Sequence, residues 1–530
     1  MFIQALLVAL IVAVAFNDRV FLHTFMYRPI VIGPLVGLVF GNLNIGLQVG
    51  VAVELMFLAV IWVGTAVPPD ETLSAAFATS IACATGSPEI GIATALPISF
   101  VGQIFRQTKF STVYEWTMRK VEKAASKADG KGVILWTTII PAIIESLLFG
   151  IPTFIGVYYG AEAVQAFINF IPQWLISGLA AGAGLLGAVG VALLLGTVKD
   201  KSLWPYFLIG FVFASYLGVN MIGIAIIAVT CVAINYLADK NKVNSEDVEE
   251  FEIEPEDNSY RVLTKKDLWK TFWYGMAIES GNSATKQEAN GFLQAMIPTL
   301  DKVYEDPAER AEAYERHCEL FLTEGRVAEL CVGISCAMEE RNAIKKDIDP
   351  ESINALKVAL MGPLAGIGDS LIHGTIRPII AGLACSMITA SGFNNPTGAI
   401  LFVVLMTAIT FAIRYLGIFK GYEGGLSLVS KMQSGGLLNS LTRYAGIAAF
   451  VVCGGFISAL VYVTLNVQYV NGDTIISLQK TLDDLIPNLI PLIYTMIMYW
   501  LINKKKINIV LLMFITILIG VAGVALGILA

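Results

Sequence analysis

Polar positions along this chain are sparse and bunched, and the apolar stretches between them predict membrane helices. Ala163 to Val198, Ser202 to Ala238 and Pro378 to Ile413 contain no Asp, Glu, Lys, Arg or His. Each is long enough for two crossings, because one helix needs about 20 apolar residues. Leu485 to Asn503 and Ile507 to Ala530 each predict one more span. Met1 to Phe16 is apolar, lacks a basic region, and runs into Asn17, Asp18 and Arg19 without a small-residue cleavage site. A retained membrane helix is expected there, not a cleaved signal. These runs do not alternate as barrel strands do, so helices are expected. The expected fold is an all-α polytopic membrane protein. It comprises two helical bundles with broken or re-entrant helices, plus a cytoplasmic amphipathic helical segment at the start of the second half.

The polar stretches divide the chain. Asn241 to Asp267 is long, acid-rich and without hydrophobic periodicity, so 241–267 reads as a flexible linker. It separates a membrane domain over 1–240 from a second domain over 268–530. In the second, 268–355 is amphipathic and charged, and 356–530 is the membrane part. "DPAERAEAYERHCELFLTEGRVAEL" predicts a water-facing helical pair, with Asp306 and Pro307 as N-cap and first-turn proline. Basic residues cluster in one predicted loop from Arg106 to Lys131, at Lys504 to Lys506, and around the linker. The positive-inside rule places all three on the cytoplasmic side.

Composition excludes the soluble classes. Of 530 residues, 56% are hydrophobic and only 15% charged, against about 25% charged in soluble proteins. Mean hydropathy is +0.70. The seven cysteines contain no CxxC pair. His23, His317 and His373 do not form a metal-ligand spacing, so neither a metal nor a cofactor is expected. "GPLAGIG" is not followed by Lys-Ser/Thr and is no nucleotide cradle. Basic-aromatic interleaving for nucleic acid is absent.

What remains are charges where lipid is expected. Glu54 lies within an apolar run, and Asp70 and Glu71 follow Pro68 and Pro69. An acid at a membrane-helix centre costs about 2.5–3.5 kcal/mol, so a repeated acid points to use. The prolines predict an unwound segment whose following helix N-terminus faces a polar ligand. An extramembrane turn with Asp70 as N-cap fits the same residues. In "LMGPLAGIGDSLIHGTIRPII", Gly366 and Gly368 predict a break and close backbone approach, with Asp369, His373 and Arg377 in a structural or gating role. Asp369 there caps the next helix or pairs with Arg377, or meets the ligand directly. "ESGNSATKQEANGF" offers Asn282, Gln287 and Glu288, whose amides and carboxylate suit sugar hydroxyls. Trp62 and Phe57 could stack on a sugar's apolar face, although such aromatics are more often interface or packing residues.

Two long blocks resemble a known family. "RPIVIGPLVGLVFGNLNIGLQVGVAVELMFLAVIWVGTAVPPDETLSAAFATSIA", from Arg28, resembles the membrane IIC component of the mannose/fructose/sorbose family of the bacterial phosphoenolpyruvate-dependent sugar phosphotransferase system. "RHCELF", "LKVALMGPLAGIGDSLIHGTIRP" and "AIRYLGIFKGYEGG" resemble its IID component. The resemblance implies a fused IIC–IID unit in the bacterial cytoplasmic membrane. Such a unit imports a hexose-type sugar or derivative for coupled phosphorylation by a partner IIB. It implies cytoplasmic IIA and IIB partners that carry the phosphoryl-transfer histidines, a homotrimer in the lipid bilayer, and no catalytic residue on this chain. Carried over by position, the substrate contacts fall at Glu54, Trp62, Thr65, Pro69, Asp70 and Glu71, and at Asn282, Gln287 and Glu288. Phe25 stands where mannose-type members often have glutamine, and "NSATKQEANGF" is one residue longer than their "NFERMQ"-like form. Mannose is therefore not implied, and an amino sugar, an acetylated sugar, sorbose or a sugar–amine conjugate is open. The alternative is an ion-coupled secondary sugar transporter with Glu54 or Asp369 as its proton site.

Overall fold

The structure, a computed structural model, describes residues 1–58, 68–168, 173–197, 201–243, 261–434, 437–461, 463–471, 474–507 and 509–529. The first half is built from α1 (Phe2–Val20), α2 (Pro29–Val39), α3 (Leu43–Met56), α4 (Glu71–Thr85), α5 (Pro88–Ser111), α6 (Val113–Ala125), α7 (Gly130–Ile134), α8 (Ile140–Ile168), α9 (Gln173–Thr197), α10 (Trp204–Ser215) and α11 (Met221–Val243). The second contains α12 (Lys265–Gly275), α13 (Ala289–Val303), α14 (Pro307–His317), α15 (Ala328–Lys345), α16 (Pro350–Gly368), α17 (Arg377–Ala390), α18 (Thr397–Ser434), α19 (Leu437–Leu460), α20 (Leu478–Leu485), α21 (Leu489–Asn503) and α22 (Ile509–Ala525). A short antiparallel hairpin, β1 (Gln468–Asn471) and β2 (Thr474–Ser477), precedes α20. Most of the linker, 244–260, lies outside the described residues.

Among the described residues, five helical stretches are long and apolar enough to cross a membrane: Phe2–Val20, Pro88–Ala125, Gly130–Gly160, Pro350–Ala390 and Thr397–Gly425. α20 and α21 qualify as a pair bent by 81°. Helix α8 shows how these helices meet lipid. Ile143, Leu147, Ile151 and Ile155 are each about half exposed, at four-residue spacing. Two residues along, Glu145, Phe149 and Thr153 are buried. The period of 3.6 sorts the same helix into an apolar outer stripe and an inner face that carries the polar groups.

The halves interlock. α9 packs on α21 and α22, while α10 and α11 pack on α19. One buried core runs from α1 to α5 and on into α17 and α19. The other joins α6 and α7 to α12–α16, with Phe272, Phe292 and Tyr314 at its centre. Segment 306–329, expected to face water, enters this core: His317, Arg326 and Glu329 are at most 2% exposed. The expected cap is present, with Asp306 accepting from the Glu309 N–H at 3.1 Å. Arg106 and Lys109 are likewise not in a loop but buried on α5.

The glycine-rich stretch is not broken, contrary to expectation. Pro350–Ala390 is one helical run in which Asp369–Ile376 forms a π-helix between α16 and α17. A second π-helix, Leu135–Ile139, links α7 to α8. Both end two residues before a proline, Pro378 and Pro141 respectively. A proline ring clashes with the carbonyl four residues back. The wider π turn moves that carbonyl away, so the helix continues where a plain α-helix would kink.

Candidate functional site

The first half supplies a ladder of buried ion pairs. Arg28, N-cap of α2, points its Nε at both oxygens of Glu54, at 3.0 and 3.2 Å, with both side chains fully buried. Its Nη1 lies 3.5 Å from Glu71. Arg19, in the last turn of α1, donates to Asp70 at 3.0 Å and to Glu71. Asp70 also caps α4, accepting from Leu73 N–H at 2.8 Å, and lies 3.4 Å from Arg106. On the inner face of α8, Glu145 pairs with Lys109 and accepts from the Tyr114 hydroxyl at 2.7 Å. Among the described residues, two of these carboxylate oxygens have no partner, Oε2 of Glu71 and Oε2 of Glu145.

The second half supplies a structured loop, 279–288. The Ser280 hydroxyl donates to Thr137 O at 2.6 Å. Thr137 sits in the π-helix Leu135–Ile139, so that irregularity holds the loop. Thr285 N–H donates to Glu115 at 2.8 Å, and Lys286 lies 3.1 Å from Glu122, tying the loop to α6. Ser283 and Gln287 exchange backbone hydrogen bonds, and Gln287 takes a left-handed φ of 55°. Its Nε2 donates to Ala284 O at 3.0 Å, leaving Oε1 free; Asn282 Oδ1 is free as well. Glu279 lies 3.1 Å from His23 Nε2, and Arg414 donates to His23 Nδ1 at 2.9 Å.

The π-helix Asp369–Ile376 completes the wall. His373 stands between two guanidinium groups, 3.1 Å from Arg326 and 3.4 Å from Arg377. Arg326 pairs with Glu324, and Arg377 donates to Leu58 O at 2.8 Å. Glu288 accepts from Thr323 N–H at 3.1 Å. Burial, then the nearby carboxylates of Glu279, Glu324 and Asp369, push its carboxyl well above the usual range.

These groups enclose a cavity of about 710 Å³ walled by both halves. Of the residues expected to bind substrate, Glu71, Asn282, Gln287 and Glu288 line it, together with Asp369, His373 and Arg377. Trp62 and Thr65 lie outside the described residues. Glu54 and Asp70 lie behind the wall, fully buried and held by arginines, and Pro68 rather than Pro69 reaches the cavity. Gly366 and Gly368 are not on the wall. A Cβ on Gly368 would meet Glu324 Cβ at 2.4 Å, whereas one on Gly366 would meet nothing within 4 Å. The expected close approach therefore holds at Gly368 alone. Asp369 does not cap a helix, because the helix continues through it.

Sequence reasoning missed Arg19, His23, Arg106, Lys109, Glu145, Glu324 and Arg326 as wall residues. Glu145 carried the clearest signal, as the lone charge between Leu135 and Tyr159, the same pattern that singled out Glu54.

Residues 2–234 match the family described as the PTS system sorbose-specific IIC component. Residues 262–529 match the IID component of the PTS system mannose/fructose/sorbose family. The mannose-specific EIID component of Escherichia coli K12 is 34% identical over 274 residues, 50% of this chain and 95% of its own length. The sorbose-specific EIID component of Lacticaseibacillus casei is 35% identical over 274 residues, again 50% of this chain and 95% of its own. For the first half, N-acetylgalactosamine permease IIC component 1 of Escherichia coli K12 is 30% identical over 221 residues, 41% of this chain and 81% of its own.

Proposed function

The chain belongs to the mannose/fructose/sorbose family of the phosphotransferase system, a IIC component joined to a IID component, and from this premise we propose that the cavity between its halves is the compartment in which the sugar crosses. As a member, the chain is a sugar-translocating unit of the inner membrane, with a sugar substrate and cytoplasmic IIA and IIB partners. One observation carries the reading of the cavity. Glu71 and Glu145 from the IIC half and Asn282 and Gln287 from the IID half line one cavity, and each has a buried side-chain oxygen without a hydrogen-bond partner among the described residues. Buried acceptors without partners are costly, and sugar hydroxyls arriving from both sides would satisfy them.

The sugar then bridges the IIC-like domain, 1–240, and the IID-like domain, 268–530. Exposed Arg119, Lys120, Lys123, Lys127 and Lys131 put α6 and the loop it holds on the cytoplasmic side, where IIB meets the sugar. The homotrimer is part of the same proposal: the apolar outer stripes of α1 and α8 offer surfaces to lipid or a neighbouring copy. Mass measurement in nanodiscs tests it, and a monomer would refute it.

Membrane vesicles test the function. Sugar phosphate should accumulate only when phosphoenolpyruvate, the general phosphotransferase proteins and a matching IIB are supplied. Accumulation of free sugar on an ion gradient alone would overturn the reading.

A further inference from the structure

Helix α12, far in character from the cavity, has two unlike faces. It buries Leu268 and Phe272 in the second core. Asp267, also buried, pairs with Lys302 at 2.7 Å and accepts from the hydroxyl of its own N-cap, Thr264. The opposite face presents Lys266, Trp269, Lys270 and Trp273, all exposed. Their spacing of three, four and seven residues from Lys266 puts them on one stripe. Neither lysine has a hydrogen bond or an ion pair among the described residues. The two indoles are 43% and 55% exposed, a large apolar area to leave against water.

The neighbouring membrane helix, α18, fixes the level at which this face stands. Its outer stripe is Ile400, Val404, Ala408, Ala412 and Leu416, exposed and apolar at four-residue spacing. The next step of the same stripe is Lys420, which forms an exposed ion pair with Glu423 at 2.6 Å. The hydrocarbon boundary therefore falls between Leu416 and Lys420. Trp269 packs at that boundary, its ring 5.5 Å from Tyr415 and 5.4 Å from Phe419. Trp273 lies 6.2 Å from Phe411, one turn deeper. Arg414 of α18 donates to Gly275 O at 2.9 Å and holds α12 at this height. Indoles at such a boundary settle among headgroups. Lysines beside them meet the anionic lipids of the cytoplasmic leaflet. The nearby acids, Asp267 and Glu423, are already committed to Lys302 and Lys420.

We propose that the Lys266, Trp269, Lys270 and Trp273 face of α12 is a docking surface for anionic phospholipid. The two ammonium groups take the headgroup phosphate, and the two indoles take the glycerol and upper acyl region. The occupant is a lipid because the face stands level with the end of the lipid-facing stripe of α18 and combines unbalanced positive charge with exposed aromatic area. This role is independent of what crosses the cavity.

The test uses the full chain in phosphatidylcholine nanodiscs doped with a brominated lipid, which quenches tryptophan fluorescence on contact. At equal mole fraction, brominated phosphatidylglycerol should quench more than brominated phosphatidylcholine. The excess should vanish in the double variant Trp269→Phe with Trp273→Phe, which locates it on this face. Lys266→Gln with Lys270→Gln should lower the phosphatidylglycerol preference about tenfold to thirtyfold, at about fivefold per lysine. Added salt should erode the preference of the unmodified chain, which keeps the test open if a variant fails to assemble. Inorganic phosphate at matched ionic strength should leave it unchanged. The inference is overturned if wild type shows no preference between the two lipids, if either assembled double variant keeps the wild-type excess, or if inorganic phosphate displaces the lipid. Loss of IIB-dependent phosphorylation in the lysine variant, with no lipid preference in wild type, would assign the face to a protein partner instead.

Discussion

The two walls of the cavity handle buried charge in opposite ways. On the IIC side the acids are matched: Glu54 to Arg28, Asp70 to Arg19 and Arg106, Glu71 to Arg19 and Arg28, and Glu145 to Lys109. On the IID side Glu279 and Glu324 have cationic or histidine partners, but Glu288 and Asp369 have no ion pair among the described residues. An acid in a lipid-embedded bundle is thus not one kind of feature. Where an arginine holds it, it fastens helices together. Where it lines a cavity without an ion pair, it holds no helices together.

The sharpest way to break this contrast is to attack its most buried pair. Arg28→Ala leaves Glu54 charged, fully buried and without its guanidinium. Removing one partner of a buried pair costs about 3–5 kcal/mol. Detergent-solubilised Arg28→Ala should therefore unfold far earlier than wild type or fail to assemble. The double variant Arg28→Met with Glu54→Leu should recover most of that loss, since apolar replacement of a buried pair is often neutral. If Arg28→Ala assembled with wild-type stability and lost only sugar affinity, Glu54 would be a ligand group and the contrast would be wrong.

The same contrast explains how much the sequence revealed. Membrane helices were legible because lipid demands long apolar runs, and loop 279–288 was legible because its amides and acids sit together. Asp306 and Pro307 announced a helix start through local chemistry alone. The ladder was not legible, because its members are 26 to 52 residues apart and no period marks them. Arg106 and Lys109 read as solvated loop charge, because nothing nearby in sequence shows that Asp70 and Glu145 await them. The glycines and Pro378 read as a helix break. Local rules treat a proline as an interruption, and the π turn before it removes that interruption. Arg377 bonding to Leu58 O, 319 residues away, is a contact that only the folded seam creates.

A smaller effect is expected at Gln287. Gln287 holds a left-handed φ of 55°, and its Cβ, which alanine would share, already bears the backbone strain there. Asparagine tolerates that conformation and withdraws the amide by one methylene. Gln287→Asn should keep assembly and thermal stability, while sugar affinity falls about twofold to tenfold, the worth of one neutral hydrogen bond. Full affinity in an assembled variant would remove Gln287 from the site. A loss of stability equal to the loss of affinity would place it with the IIC ladder, as a fastener.

The smallest effect concerns pH and isolates the unmatched acid. Burial and three neighbouring carboxylates raise the Glu288 pKa well above the usual range, against the pull of the Thr323 N–H. The folded chain therefore holds this proton more tightly than the unfolded chain does. The resulting stability is fully present below the ordinary glutamate pKa of about 4.3 and is lost as pH rises through the raised folded value. Other groups titrate in the same interval, so the informative quantity is wild type minus Glu288→Gln. That difference should fall as pH rises above the ordinary glutamate value and through the raised folded one, measured by thermal unfolding in detergent without sugar. A rise would mean that an unseen cation already serves Glu288, and the two walls would then be alike.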